Sequence, residues 1–380
     1  MVTERYHRGV DSFDLIVVGA GIVGLAHALA AARRALKVAV VERDTRAMSA
    51  SVRNFGFVTV TGQADGDTRR RALRSRDVWA EVAREAGIAI LQRGAIVAAR
   101  RKEALAVLEE FAAGPMGEGC AMFHGRGAAR RLPALRDGCL GALESPHELR
   151  VEAREALPRL AAWLHERHGV AFHWGSCALG FEGTKLRHSR GTLDGGAIVF
   201  APGSGLGELA PGIAAGARVR QCHLQMMRVA ATGVRLPAVV MSDLSLARYE
   251  GFATQPSAAR LRARLQRECA AQLANGIHLI VAQGADGALV VGDSHHYGDD
   301  CDPFASAAVE ELILAELRAL LDLREPHVVE RWIGHYPVAE VQPLISAPLA
   351  PRVRAVTVTS GTGMSTAFAI GEETVAALFD

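Results

Sequence analysis

The sequence predicts an α/β protein with two parts, one built on a parallel sheet and the other on a β-rich, antiparallel sheet. Three observations predict it. The N-terminal segment runs strand, helix, strand, which is a βαβ unit and implies parallel pairing. A strand near the C-terminus runs into a second glycine-rich helix start at 360–366. Between them, 219–229 and 277–291 are rich in β-branched and apolar residues, and the second is bent at Gly284, Asp286 and Gly287 in a hairpin-like turn. A chain of 380 residues exceeds one typical domain of ~100–150 residues, so two domains are expected. A composition of 49% hydrophobic and 22% charged residues excludes a mainly disordered chain. With 43 basic and 41 acidic residues the formal net charge is only +2, too small to drive nucleic-acid binding through counterion release.

In chain order, 13–18 reads as a strand, 22–35 as a helix and 37–41 as a strand. A helix over 67–86 is stopped by Gly87, a strand follows over 95–99, and a helix over 101–113 is stopped by Gly114 and Pro115. The segment 125–138 reads as a loop. A helix over 154–168 ends at Gly169 and leads to strands over 170–174 and 198–200. Asp302 before Pro303 has the pattern of an N-cap with proline at the first helical position, opening a helix with Val309, Leu312, Ile313, Leu317 and Leu320 on one face. Strands over 327–333 and 353–359 and a helix after Gly363 close the chain. On the 219–229 strand, Cys222, Leu224 and Met226 alternate with His223, Gln225 and Met227, so one set faces a core and the other a cavity.

Six cysteines without a C-x-x-C pair exclude a zinc knuckle or a small disulfide framework and suit a reducing, cytoplasmic compartment. The apolar run 15–32 is interrupted by Gly19, Gly21 and Gly24 and is read as neither a signal peptide nor a membrane span. Asp293, His295, His296, Asp299, Asp300, Cys301 and Asp302 have the composition of a metal cluster. Adjacent histidines on extended backbone point in opposite directions and Asp302 is expected to cap a helix, so no metal site is expected. The arginines of 69–76 are read as a solvated helix face.

The chemistry lies in the glycines. Gly19-Ala20-Gly21-Ile22-Val23-Gly24 follows a strand and opens a helix: the first glycine allows the tight turn, the second lets a pyrophosphate approach the backbone, and the third allows close helix packing. Glu42 ends the next strand, where a carboxylate accepts hydrogen bonds from an adenosine ribose and disfavours a 2′-phosphate. A Rossmann-like site for FAD or NAD is therefore expected. Ser360-Gly361-Thr362-Gly363-Met364-Ser365-Thr366 supplies a second positive helix end far along the chain, suited to stabilising a reduced flavin ring.

These motifs, with Ala201-Pro202-Gly203 after the 198–200 strand, resemble the glycine oxidase and D-amino-acid oxidase family of FAD enzymes from about 13 to 378. The loop Ser51-Val52-Arg53-Asn54-Phe55-Gly56 and the stretch 291–300 resemble a narrower subgroup linked to phosphonate breakdown. The resemblance implies a discontinuous, glycine oxidase-like arrangement, with an FAD-binding domain of 10–90, 145–218 and 328–380 and a substrate domain of 91–144 and 219–327. It implies noncovalent FAD held by Gly19, Gly21, Ile22, Val23, Gly24, Glu42, Arg43, Ser51, Arg53, Asn54, Phe55, Gly56, Ala178, Ala201, Gly203, Gly361, Gly363, Met364, Ser365 and Thr366. The activity implied is oxidation of a small primary or N-methylated amine by hydride transfer to flavin N5, with hydrolysis of the imine to an aldehyde.

Two positions depart from the family. Pro202 replaces a common threonine and removes a hydroxyl and a backbone donor. Tyr336 stands where an arginine usually clamps the substrate carboxylate, which points away from α-amino acids and toward 2-aminoethylphosphonate or its N-methyl derivative. Arg53 and His295 are then the expected anion contacts, with His223, Arg228 and Tyr336 lining the facing lobe. Arg53 bound only to the FAD pyrophosphate and His295 as a structural loop residue are the alternatives at those positions. A glycine, sarcosine or D-amino-acid oxidase is the alternative enzyme, and an FAD-binding partner or regulatory protein without turnover is the alternative of another class.

Overall fold

A computed structural model describes residues 12–231, 233–300, 302–340 and 342–380. Ser12–Val18 is the centre of an eight-stranded sheet ordered Leu344–Ala350, Val353–Val358, Gly191–Phe200, Ser12–Val18, Val38–Val41, Ala171–His173, with the hairpin Ala178–Glu182 and Lys185–His188 attached to Gly191–Phe200. The four pairings among the central strands and Ala171–His173 are parallel, and Leu344–Ala350 runs antiparallel at the edge. In register Val18 faces both Val41 and Phe200, so the turns at Gly19, Glu42 and Ala201 emerge side by side. Ligands of open parallel sheets bind at such carboxyl ends.

The strands Val38–Val41 and Ser12–Val18 are apolar because both faces are covered. Three helices cover one face: Ile22–Arg33, Ala153–His168 and Gly363–Phe379. The first and last pack so closely that a Cβ on Gly371 would lie 2.7 Å from Ala26 O and 3.0 Å from His27 N. Gly169, left-handed at φ 66°, ends Ala153–His168 as the sequence predicts. Asp67–Glu85 lies against the last helix. There Arg70 and Arg71 pair with Glu373, each at 2.9 Å, and Arg74 pairs with Glu372 at 2.7 Å. Arg70, Arg71 and Arg74 of the 69–76 run thus clasp two helices, while Arg70 and Arg74 stay exposed on the solvated face expected from the sequence.

The second sheet has ten strands, ordered His296–Gly298, Arg220–Val229, Leu289–Gly292, Ile280–Gln283, Val239–Met241, Ile90–Ala99, Gly141–Val151, Phe57–Val58, with Val328–Val338 on Arg220–Val229 and Ala121–His124 on Gly141–Val151. Its pairings are antiparallel except between Val239–Met241 and Ile90–Ala99. The turn after Gln283 closes with Gly284 N–H donating to Ala288 O at 2.8 Å, the hairpin read from its glycines.

Four expectations change. Val328–Val338 belongs to the second sheet: its pairing with Arg220–Val229 along nearly its whole length outweighs its sequence proximity to the last βα unit. Phe57–Val58 likewise pairs with Gly141–Val151 in that sheet. Asp302 caps no helix, because its Oδ1 accepts from Phe304 N–H at 2.9 Å in a local turn; the helix begins at Ala307, capped by Ser306 Oγ, which accepts from Val309 N–H. The 125–138 loop contains a short helix, Arg126–Arg131, with buried Ala128 as its anchor.

Candidate functional site

The two sheets meet around a cavity of about 850 Å³. Its cofactor end is made by the glycine turns. Gly19, at φ 107°, lies so close to Ala201 that a Cβ would sit 2.5 Å from Ala201 O, and a Cβ on Gly24 would overlap Gly19 O. Glu42 holds this loop from the next strand: Oε2 accepts from Ala20 N–H at 2.7 Å and Oε1 from Asp44 N–H at 3.0 Å. Ser51 Oγ accepts from Ile22 N–H at 3.0 Å at the start of the first helix. Neither that helix nor the last has a side-chain cap on its N-cap residue, Gly21 or Thr362. Both positive ends open on the same cavity, which Gly21, Ile22, Val23, Gly361, Gly363, Met364 and Ser365 line.

The loop between Glu42 and the second sheet is stapled internally. Asn54 donates from Nδ2 to Ala50 O at 2.8 Å and accepts at Oδ1 from Gly56 N–H at 2.7 Å. Arg53 lines the cavity and braces two elements: Nε donates to Met48 O at 2.9 Å, Nη1 to Ile333 O at 3.3 Å, and its own carbonyl accepts from Trp332 Nε1 at 3.2 Å. Ser51, Asn54, Phe55, Ala201 and Gly203 line the cavity too. Gly56 is left-handed at φ 67° and packs on Val151 O. Ser365 Oγ accepts from Thr59 N–H at 2.9 Å, and Thr366 Oγ1 donates to Thr362 O at 3.0 Å, turned back along its own helix. Arg43 is exposed and Ala178 half-buried, neither on the cavity; Ser176 N–H donates to Glu42 O at 2.8 Å, which places the Ala178 strand beside the expected ribose site.

The substrate end differs from expectation in its charges. Leu224 and Met226 face the cavity, which settles the alternation on Arg220–Val229 and puts His223 on the other side, where its Nε2 has no hydrogen bond. Arg228 lies beyond the cavity and is held by Asp286 Oδ2 at 2.6 Å, where the pairing register shifts. His223 and Arg228 are therefore not cavity residues. His295 and Tyr336 are. The charge sequence reading missed is Arg248, the C-cap of the short 3₁₀ helix Asp243–Ala247 that follows Val239–Met241; its guanidinium donates to Tyr297 Oη at 3.2 Å and Tyr336 Oη at 3.4 Å. Burial opposes its charge, but Tyr336, Tyr297 and Asp293 outweigh this and keep it protonated. No motif marks Arg248-Tyr249-Glu250; only the fold brings it to Tyr336.

Opposite stand Asp293, His278 and His295, with ligand-type atoms within 4.8 Å of one another. Burial pushes the Asp293 carboxyl up to about 7, with Arg248 opposing. Burial also holds His278 and His295 well below the usual imidazole range, helped by Arg248. His296 points away, exposed, to Asn275 Oδ1 at 3.0 Å, as alternation requires. The acidic stretch 299–302 contributes none of these three groups, and Cys301 lies outside the described residues.

Over residues 14–377 the sequence matches the family described as FAD dependent oxidoreductase, DAO. The chain belongs to this family. FAD is its cofactor and oxidoreduction its chemistry. The paired glycine turns and two open helix ends fit that cofactor by their own geometry. Among solved structures, glycine oxidase from Geobacillus kaustophilus is similar at 20% identity, covering 97% of this chain and 94% of that one, with a TM-score of 0.76. L-alpha-glycerophosphate oxidase from Mycoplasma pneumoniae with FAD bound has 16% identity, coverage of 97% and 95%, and a TM-score of 0.76. Iminodiacetate oxidase from Chelativorans sp. BNC1 has 17% identity, coverage of 96% and 95%, and a TM-score of 0.72. A search of curated protein sequences finds no match. Among the described residues no helix is long and apolar enough to cross a membrane.

Proposed function

We propose that this DAO-family oxidoreductase oxidises a small amine carrying a remote anion, 2-aminoethylphosphonate or its N-methyl derivative, to the aldehyde. The observation that carries the reading is Arg248 between two phenols. Where the family's amino-acid oxidases have a carboxylate-clamping arginine, this chain has Tyr336, and a cation from another loop reaches that tyrosine. A guanidinium flanked by the hydroxyls of Tyr297 and Tyr336 offers donors in several directions, which suits a tetrahedral phosphonate with three acceptor oxygens. Glycine and iminodiacetate oxidases among the structural relatives support an amine as the group oxidised.

Bound FAD would supply a hydride acceptor for the carbon bearing nitrogen; the chain supplies binding, orientation and shelter from water. Glu42 and the two helix ends would hold the dinucleotide. Arg53, tied to two carbonyls, braces the loop that faces it. Leu224 and Met226 give the cavity an apolar wall that orients the substrate's methylenes. The test is a steady-state comparison of 2-aminoethylphosphonate, its N-methyl derivative, glycine and sarcosine. A phosphonate is expected to have the highest kcat/KM, and glycine or sarcosine equal to or above both phosphonates overturns the substrate while leaving the oxidoreductase intact. Anaerobic mixing separates the non-catalytic alternative: flavin that dithionite bleaches and no amine does would support it.

A further inference from the structure

An amine of ordinary basicity, with a pKa near the ~10.4 of a lysine ammonium, is almost wholly protonated at neutral pH. A hydride cannot leave the carbon beside a nitrogen that has no lone pair to form the C=N bond. The proton must go somewhere first, and among the described residues the cavity holds one buried acid. Asp293 is 5% exposed and lines the cavity at the end of Leu289–Gly292. Its Oδ1 stands 3.1 Å from His278 Nε2 and its Oδ2 3.8 Å from His295 Nε2, yet Oδ1 has no well-directed hydrogen bond within the protein. A buried carboxylate oxygen without a partner is costly unless something else uses it.

The two histidines are fixed. His295 Nδ1 lies 2.9 Å from Gly276 O, and a carbonyl only accepts, so Nδ1 carries the proton and Nε2 turns a lone pair toward Asp293. Gly276 has no side chain because a Cβ there would sit 2.8 Å from His295. The His278 ring lies 4.9 Å from that of His295, and Tyr249 packs edge-on against it at 5.6 Å. The titratable and charged groups facing Asp293, among the described residues, are His278, His295, Arg248, Tyr249 and Cys222, with Tyr336 beyond Arg248. Arg248 is the one fixed positive charge among them, and it disfavours a divalent cation at the same spot.

We propose that Asp293, which lies beside His278 and His295, binds the substrate's ammonium and accepts its proton, so that the amine lies on Asp293 and the anion on Arg248. This rests on the amine reading above. In the step the N–H bond breaks, its electron pair stays on nitrogen, and the proton bonds to an Asp293 oxygen: ammonium plus carboxylate become amine plus carboxylic acid, with no redox change. Burial sets the carboxyl near 7, so the accepting form grows as pH rises through that value.

The test is anaerobic flavin reduction by the amine, followed from about pH 6 to 10 in the FAD-loaded chain. Wild type is expected to show a rising limb near pH 7. Asp293→Asn is expected to lose that limb, to be slower by about tenfold or more at neutral pH, and to recover as pH approaches the substrate's own pKa. Asp293→Glu should keep the limb. A limb unchanged in Asp293→Asn, or absent from wild type, overturns the proposal, as does a limb lost to a chelator and restored by Zn²⁺. If the phosphonates fail but another amine reduces the flavin, only the substrate reading falls, and the profile is taken with that amine. If no amine does, the bound flavin's absorbance is titrated alone: a transition near 7 that Asp293→Asn abolishes supports the acid, and one that persists overturns it.

Discussion

Arg248 and His27 show what one residue can decide. Arg248 is reached only through folding, so nothing in its neighbours announces it, whereas Tyr336 was legible because it breaks a family pattern. Replacing Arg248 by Met leaves two phenols without their cation. We expect kcat/KM for an aminophosphonate to fall by about tenfold or more, since Arg248 is itself exposed and a hydrogen bond to a charged group contributes roughly 1.5–3 kcal/mol. FAD content should not change, and an uncharged amine such as propylamine should lose little. Steady-state kinetics on both substrates checks this, and an equal loss on both would remove Arg248 from anion binding. His27 is a different case. It is fully buried in the first helix, with Nδ1 2.7 Å from Val23 O and no partner at Nε2, and burial lowers its pKa from 6.5 to about 4. The folded-state pKa is depressed, so its stabilising effect is present above 6.5 and is lost as pH falls toward 4. The full span corresponds to roughly 3 kcal/mol. His27→Leu should therefore lose less stability than wild type between about pH 7 and 5, measured by urea unfolding at each pH. Equal losses would mean that other groups dominate.

Elements were more legible than their partners. The βαβ start, the hairpin after Gln283 and the Gly169 helix stop follow from period and turn chemistry, which are local. Asp302 misled because Asp and Pro signal both a cap and a turn, and Phe304 N–H decides between them. Val328–Val338 misled because pairing is nonlocal and its sheet is chosen by Arg220–Val229. The same limit hid the clasp of Arg70, Arg71 and Arg74, whose partners Glu372 and Glu373 lie far along the chain. Beside that clasp Gly371 packs closely on the first helix. Gly371→Ala would push a methyl against Ala26 O and His27 N, both backbone atoms that cannot rotate away. Overpacking of this kind costs about 1–3 kcal/mol, and both helices open their N-termini on the cavity. We expect a lower Tm together with weaker FAD retention on dialysis. A Tm loss with retention unchanged would show that the two helix ends are set independently of this crossing.

At the scale of the whole molecule, the cavity is what joins the parts. Its walls come from the glycine turns of the first sheet, the 50–55 loop, the second-sheet residues Leu224 and Met226, and the start of the last helix. Of the segments expected in the cofactor domain, Phe57–Val58, the 145–151 end of Gly141–Val151 and Val328–Val338 lie in the second sheet. A ligand that touches all of these segments is held only when they are assembled, so FAD should stabilise the fold by mass action, by RT ln(1 + [FAD]/Kd), which is about 2.7 kcal/mol at a hundredfold excess over Kd. The apo protein should melt lower, and Tm should rise steadily with the logarithm of added FAD. Among the described residues no cysteine lines the cavity, so the flavin should leave with the supernatant when the protein is acid-precipitated. Scanning calorimetry across FAD concentrations, with flavin measured in pellet and supernatant, reads both. A Tm independent of FAD would mean that the two sheets assemble fully without the cofactor, and flavin retained in the pellet would mean a covalent bond to another cavity side chain.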